Sequence, residues 1–460
     1  MAPLTFSVEL DAVFFFALRP IKSDDDTHLA PVADLSPLNH PDMTSPTYHH
    51  LRNMKTEMVC RVSRAIHNSP SKLPHSHRGE VYPPGDSSVS SHHQWRVRTI
   101  GATRDDLRLL FGYPNFCTGM GVQSPVMYAT EPGFREVEAV SNMLRATFRA
   151  AVPTSCGMRV YVGIGNDLFP LSAMKRTASI CWASDRVLQQ MHPVSRHYNN
   201  WCKGPRIMTR LAEGEETQQS DGDTMARQDI PLQEYINKTQ PKRLSTKFDR
   251  AFSRHTLNAI LSEAEQHISL FICEIHDEDH SLKPVKGPNI LKGAIQLFEC
   301  CDYDAVAKFM DTDLHDAYKF FYYPSAHWKE EYPRPIIEFS MAAGSLDGHW
   351  ISTYAKICTS IVRFATSAAE EDIWRTIYDC HVANTDNTRY DIFDLLLDLG
   401  LAKEAETVQR RAERGNYKET LQQYVTIEDL RKGDEDRVYG DRDTDENRGI
   451  DHAMGLWGMR

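Results

Sequence analysis

The sequence predicts a mixed fold of strands and helices, α/β or α+β, gathered in one large domain. Short stretches at 5–11, 157–163 and 335–341 alternate apolar and polar residues at the two-residue period of a strand. Longer stretches between and after them repeat apolar residues at helical spacing. At 460 residues and 41% hydrophobic, the chain can also bury a large core, because burial on folding improves with size.

The first strand runs into Val13-Phe14-Phe15-Phe16-Ala17-Leu18. Glu9 and Asp11 precede this run where a signal peptide carries basic residues, so it reads as a buried strand. Residues 23–93 are rich in Asp, Pro, Ser and His and show no sustained apolar period. They are expected to form a mostly flexible insertion with one short helix near 47–65. Residues 133–151 set Phe134, Val137, Val140, Leu144, Phe148 and Ala151 on one helical stripe, and 171–191 do likewise through Met174, Ala178, Cys181, Trp182 and Leu188. A polar loop is expected at 213–228. The clearest helix spans 347–368, with Trp350, Ile351, Tyr354, Ile357, Ile361 and Phe364 on one stripe. A last pair at 392–399 and 402–414 divides at Gly400, a natural helix terminator. The charged tail 432–460 is expected to fray, leaving 1–420 as a single domain.

An excess of 63 acidic over 52 basic residues, net charge -11, argues against nucleic acid as a partner. Ten cysteines without a CxxC pair point to reduced thiols and the cytoplasm, and adjacent Cys300 and Cys301 read as buried packing. No run reaches the about 18 apolar residues of a membrane span. No complete GxxxxGK[ST], HExxH or GxSxG occurs. Gly163-Ile164-Gly165 lacks the third glycine of a dinucleotide loop, since position 168 is leucine, and reads as a strand-ending turn.

The strands carry the candidate site. If Phe6, Val8 and Leu10 face a core, Ser7, Glu9 and Asp11 share the opposite face; Arg159 and Tyr161 do so on the second strand, and Ile336, Glu338 and Ser340 on the third. Were the three strands neighbours, Glu9, Asp11, Arg159, Tyr161 and Glu338 would make a floor for a hard cation and an anion. Carboxylates at i and i+2 on a rigid strand suit Mg2+, although the same pattern serves a solvated strand face. Cys273, His276 and His280 have the spacing of metal ligands and would suit a hydrolase or binding module. They lack the second half of a zinc signature and read more readily as a charged loop. The histidines at 49, 50, 75, 77, 92 and 93 read as solvated residues of the insertion.

Phe6-Ser7-Val8-Glu9-Leu10-Asp11 resembles an opening Glu-x-Glu strand. Gly121-Val122-Gln123-Ser124-Pro125, the helix after it and Ser155-Cys156-Gly157-Met158-Arg159-Val160-Tyr161-Val162-Gly163 are similar to a Glu-x-Ser-Pro segment, a helix and a Cys-Gly-x-His-Val-His-Val-Gly strand. His192-Pro193-Val194-Ser195-Arg196 with Asn199-Asn200-Trp201-Cys202, then Ile337-Glu338-Phe339 and Gly344-Ser345-Leu346-Asp347, continue the same order. Together these resemble the amidoligases of the carboxylate-amine/ammonia ligase superfamily. The resemblance implies an α+β, glutamine-synthetase-like catalytic domain with a largely antiparallel sheet and packed helices. It implies ATP-dependent joining of a small-molecule or peptide carboxylate to an amine through an acyl phosphate, with ATP and Mg2+ as cofactors if the protein is active. Glu9 and Asp11 would then be metal ligands, Arg159, Tyr161 and Glu338 catalytic positions, and Gln123, Arg196 and Ser340 nucleotide or substrate positions.

The departures fall where that chemistry would suffer. Gln123 stands for a glutamate, Arg159 and Tyr161 for two histidines, Ser340 for an arginine and Ala342 for a histidine. Ile100 stands for the aspartate expected after Trp95-Arg96-Val97. A protonated arginine offers no lone pair, so Arg159 cannot act as a neutral imidazole does. The sequence therefore leaves an inactive and an active form of the ligase reading, a non-catalytic binding or scaffold role, and the metal-binding hydrolase. In a pseudoenzyme, Arg159 would lie against Glu9 and Asp11 in place of a cation. In a divergent ligase, it would contact phosphate directly.

Overall fold

A computed structural model of the chain describes residues 3–17, 33–34, 48–69, 94–100, 116–153, 155–165, 167, 169–193, 196, 202, 204–213, 289–311, 317–321, 336–385 and 389–413. The first half holds β1 (Thr5–Ala17), β2 (Ala33–Asp34), α1 (Tyr48–His67), β3 (Arg96–Thr99), β4 (Phe116–Gln123), β5 (Met127–Tyr128), α2 (Glu131–Thr147), β6 (Ala150–Ala151) and β7 (Gly157–Gly163). Then come α3 (Leu171–Gln189), the single turns α4 (Pro205–Met208) and α5 (Arg210–Glu213), α6 (Ile290–Glu299), α7 (Tyr303–Met310), β8 (Tyr318–Phe321) and β9 (Ile336–Ala343). The last helices are α8 (Gly348–Ser367), α9 (Glu370–Thr385), α10 (Ile392–Asp398) and α11 (Ala402–Glu413).

The strands form one sheet in the order β3-β4-β1-β7-β9-β8, with every neighbouring pair antiparallel. The fold is thus α+β with a largely antiparallel sheet. β1 lies at its middle, and its residues explain why. Phe6, Val8 and Leu10 enter the core beside Phe134 and Val137 of α2, while Ala12 to Phe16 are all at most 1% exposed. Apolar residues at consecutive positions point to both faces of a strand, so this second half is covered on both sides. The run therefore behaves as the buried strand that its sequence predicts.

Helix termini follow local chemistry. Pro132 lies in the first turn of α2, where its missing N–H costs no helical bond. The Asp347 carboxylate accepts from the His349 and Trp350 N–H groups at the start of α8. Asp391 and Asp394 form a reciprocal capping box on α10, and Gly400 has φ 76°, which ends that helix before α11. α2 stops at Thr147, short of the predicted residue 151: Phe148 is extended, and Ala150 and Ala151 pair with Phe14 and Val13 instead. Here sheet pairing overrides the helical stripe. α6, α7 and α9 were not foreseen from the pattern; of the two adjacent cysteines, Cys300 is buried and Cys301 exposed.

The helix expected near residues 47–65 is present as α1, and the structure gives it a place in the core. Met54, Met58, Val62 and Ile66, each four residues apart, are at most 2% exposed and pack with Phe14, Phe16 and Leu144. The surrounding polar composition hid a four-residue apolar period. Apart from β2 and residues 68–69, the remainder of 23–93 lies outside the described residues, as do residues 214–228, the tail 432–460, Cys273, His276 and His280. Among those described, no helix is long and apolar enough to cross a membrane.

α3 buries an acid within the helical layer. Asp185 is 1% exposed, takes a 3.2 Å hydrogen bond from Gln189 Nε2, and keeps Oδ1 without a hydrogen-bond partner among the described residues. A Cβ on Gly204 would lie 2.6 Å from Oδ2, so glycine is required for that close approach. Burial pushes the Asp185 carboxyl up to about 7, although the Arg206 and Arg186 charges oppose the shift. The Arg206 Nη1 donates to Asn384 Oδ1 at 3.0 Å.

Candidate functional site

Strands β1, β7 and β9 are consecutive in the sheet, so the polar faces expected from their alternation lie side by side. In register, Glu9 is flanked by Gln123 and Arg159, and Gln123 in turn by Arg96. Ser7 faces Tyr161, which faces Glu338, which faces Lys319. Asp11 faces Gly121, which faces Arg98. These rows cross the sheet on the face opposite Phe6, Val8 and Leu10.

Glu9 is the most heavily bonded group of this floor. Arg98 donates to its Oε1 from Nε at 3.1 Å and Nη2 at 2.5 Å, the Tyr161 hydroxyl donates to Oε2 at 2.8 Å, and Arg159 Nη1 lies 3.4 Å from Oε2. Burial presses the Glu9 pKa upward, but the Arg159 and Arg98 charges and the bonds from Arg98 and Tyr161 prevail and hold it below the usual glutamate value. Arg159 also places Nη2 3.2 Å from Asp11 Oδ2 and Nε 3.9 Å from Glu338 Oε1. Its guanidinium is thereby held among carboxylates from β1 and β9. Burial disfavours its charge, yet Asp11, Glu9, Tyr161 and Glu338 together raise its pKa above the ordinary arginine value.

Asp11 is less well served. Its Oδ1 is buried without a hydrogen-bond partner among the described residues. Burial raises its pKa, Arg159 opposes that, the nearby Glu9 charge adds to it, and a backbone bond from Gly157 opposes it again. On β9 the Ser340 hydroxyl donates to Glu338 Oε1, and Lys319 Nζ stands 3.9 Å from the same oxygen. Gln123 is partly exposed beside Glu9.

Arg196 serves a different place. It is 3% exposed and donates from Nε to the Met341 carbonyl at 3.2 Å and from Nη2 to the Ser340 carbonyl at 2.9 Å. The ladder between β7 and β9 shifts register here: Met158 pairs with Ala342 but Val160 with Phe339, so Ser340 and Met341 together oppose Arg159. Such a bulge disrupts the ladder, and Arg196 binds the carbonyls at that point. A Cβ on Gly157 would lie 3.2 Å from Arg196 Nη2, so the glycine makes room for the guanidinium.

Two floor residues were missed from sequence. Arg98 belongs to β3, separated from β1 by β4, and it reaches Glu9 across Gly121. A Cβ there would lie 3.1 Å from Glu9 Oε1, 3.2 Å from Ile100 Cγ2 and 3.5 Å from Arg98 Cγ. The alternation of Trp95 and Val97 with Arg96 and Arg98 was the available signal. Lys319 sits on the four-residue strand β8, which is too short to reveal its own period.

Residues 49–283, just over half of the chain, match the family model described as "putative amidoligase enzyme". That segment contains Arg98, Gln123, Arg159, Tyr161 and Arg196; Glu9, Asp11, Glu338 and Ser340 fall outside it. No curated protein matches the chain. The chain belongs to the amidoligase family.

Proposed function

Starting from that membership, we propose that the chain retains the floor of a carboxylate-amine ligase but does not carry out the ligation, and serves as a binding protein. The family reaction is ATP-dependent amide formation between a small-molecule or peptide carboxylate and an amine. It draws on metal-bound phosphates and on groups that stabilise charge as the phosphoryl group transfers. The observation carrying the proposal is the position of Arg159, 3.4 Å from Glu9, 3.2 Å from Asp11 and 3.9 Å from Glu338.

Mg2+ requires oxygen ligands at about 2.0–2.1 Å in a near-octahedral shell. Both Glu9 oxygens are engaged by Arg98, Tyr161 and Arg159, and a guanidinium lies among the carboxylates that would coordinate the ion. The residues present do not fit Mg2+, because a divalent cation would meet the positive charge of Arg159 at the shared oxygens. The three acids of the floor already face three covalently attached cations, Arg98, Arg159 and Lys319. Tyr161, as a donor to Glu9, and Ser340, as a donor to Glu338, stabilise the same charge pattern. The proposed setting is the cytoplasm, supported by nine described cysteines that are all free.

Two measurements test this reading on the full chain. Incubated with Mg-ATP and a mixture of acids and amines, it is expected to release no phosphate and form no amide. By calorimetry, Arg159→His is expected to bind Mg-ATP more tightly than the wild type. An amide product whose formation is abolished by Glu9→Gln would overturn the proposal in favour of a divergent ligase in which Arg159 contacts phosphate.

A further inference from the structure

The charges of the floor are arranged in two layers. The carboxylate side chains lie deep, with Glu9 1%, Asp11 6% and Glu338 4% exposed. The cations lie above them, with Arg98 50%, Arg159 33% and Lys319 27% exposed. A ligand descending on this face meets N–H donors first, and the acids beneath hold those donors in place.

We infer that the floor is an oxyanion site that needs no divalent cation, in which Arg98, Arg159 and Lys319 receive a carboxylate or phosphate group directly. The inference rests on the reading that a guanidinium has replaced the cation, and it names the ligand class that such a floor accepts.

The contact lengths of Arg159 and Lys319 support it. Charge-assisted N–H···O bonds run about 2.7–2.9 Å, whereas Arg159 approaches its acids at 3.2, 3.4 and 3.9 Å and Lys319 approaches Glu338 at 3.9 Å. Guanidinium and ammonium groups carry five and three donors, so these long contacts leave both able to strengthen on an incoming oxyanion. Arg98 and Arg159 flank the same Glu9 carboxylate from opposite sides, an arrangement in which one oxyanion above Glu9 lies within reach of two guanidinium planes. Position 123 adds an uncharged amide beside Glu9, so it contributes no repulsion there. Planar multidentate donors of this kind recognise carboxylate and phosphate alike.

The test is calorimetric titration of the full chain with tripolyphosphate and, separately, with citrate, both in EDTA. At least one is expected to bind, and the stronger identifies the natural ligand as phosphate-bearing or carboxylate-bearing. Arg98→Ala and Lys319→Ala should each weaken that binding by about tenfold or more, whereas Arg410→Ala on the exposed face of α11 should not. Higher salt should weaken it further. The wild-type titration stands by itself should a variant fail to fold. No binding of either probe, with or without Mg2+, overturns this inference and leaves the proposed function intact. Binding unchanged by both substitutions overturns it as well. Binding that appears only with Mg2+, accompanied by ATP turnover, overturns both.

Discussion

Glu9 and Asp185 are both buried acids near arginines, yet they titrate in opposite directions. Glu9 is pulled below the usual range, whereas Asp185 is pushed up to about 7. The difference is in how closely cations and directed donors meet the carboxylate. Arg98 and Tyr161 aim N–H and O–H groups at both Glu9 oxygens, with the Arg159 charge alongside. Among the described residues, Asp185 has one amide donor and an Oδ1 without a hydrogen-bond partner, and Arg206 donates to Asn384 instead. At Glu9 the Arg159 and Arg98 charges, reinforced by the bonds from Arg98 and Tyr161, outweigh burial; at Asp185 the Arg206 and Arg186 charges do not. Sheet geometry favours the first arrangement, since strands about 4.8 Å apart present side chains in rows across one face. On α3 the only donor within the same helix is Gln189, one turn along.

The contrast can be broken most forcefully at Arg159. Arg159→Met removes the cation shared by three buried acids and should destabilise the fold by about 3–5 kcal/mol, as for other broken buried pairs. Urea unfolding at pH 7 measures it. A loss under about 1 kcal/mol, within the range of surface pairs, would mean that the floor resembles the Asp185 site after all.

Asp185 sharpens the contrast through pH. Its folded pKa of about 7 exceeds its ordinary 3.8, so its contribution to stability is fully present below about pH 4 and is lost as pH rises through about 7. Wild-type stability should therefore fall across this window by an amount on the order of a few kcal/mol. Asp185→Asn should remove that slope and be more stable than wild type at pH 8 relative to pH 5. A slope that persists in the variant would assign the titration to another group.

The smallest effect is expected at Gly121. An alanine there brings its Cβ to 3.1 Å from Glu9 Oε1 and 3.2 Å from Ile100, forcing both to shift at a cost of about 1–2 kcal/mol. The loss should be smaller in Arg98→Ala, where Glu9 is no longer held from that side, and a double-mutant cycle measures the coupling. Strict additivity would show that Gly121 is not the gap through which Arg98 operates.

What the sequence by itself determined about this protein was local. The two-residue period placed Glu9, Asp11, Arg159, Tyr161 and Glu338 on strand faces, and helical periods placed α3, α8, α10 and α11 within a residue or two, because these patterns depend on neighbours along the chain. Ordered motifs supplied the family. The tertiary structure decided what depends on pairing between distant segments. It brought Arg98 across Gly121 to Glu9, added Lys319 from a strand too short to show a period, turned Arg196 onto the carbonyls at the β7/β9 bulge, and made α1 part of the core. Register is a property of two strands at once, and burial of a whole assembly. For that reason Glu9, Asp11, Arg159, Tyr161 and Glu338 were legible from the chain, whereas Arg98, Lys319 and the layering of acids beneath cations were not.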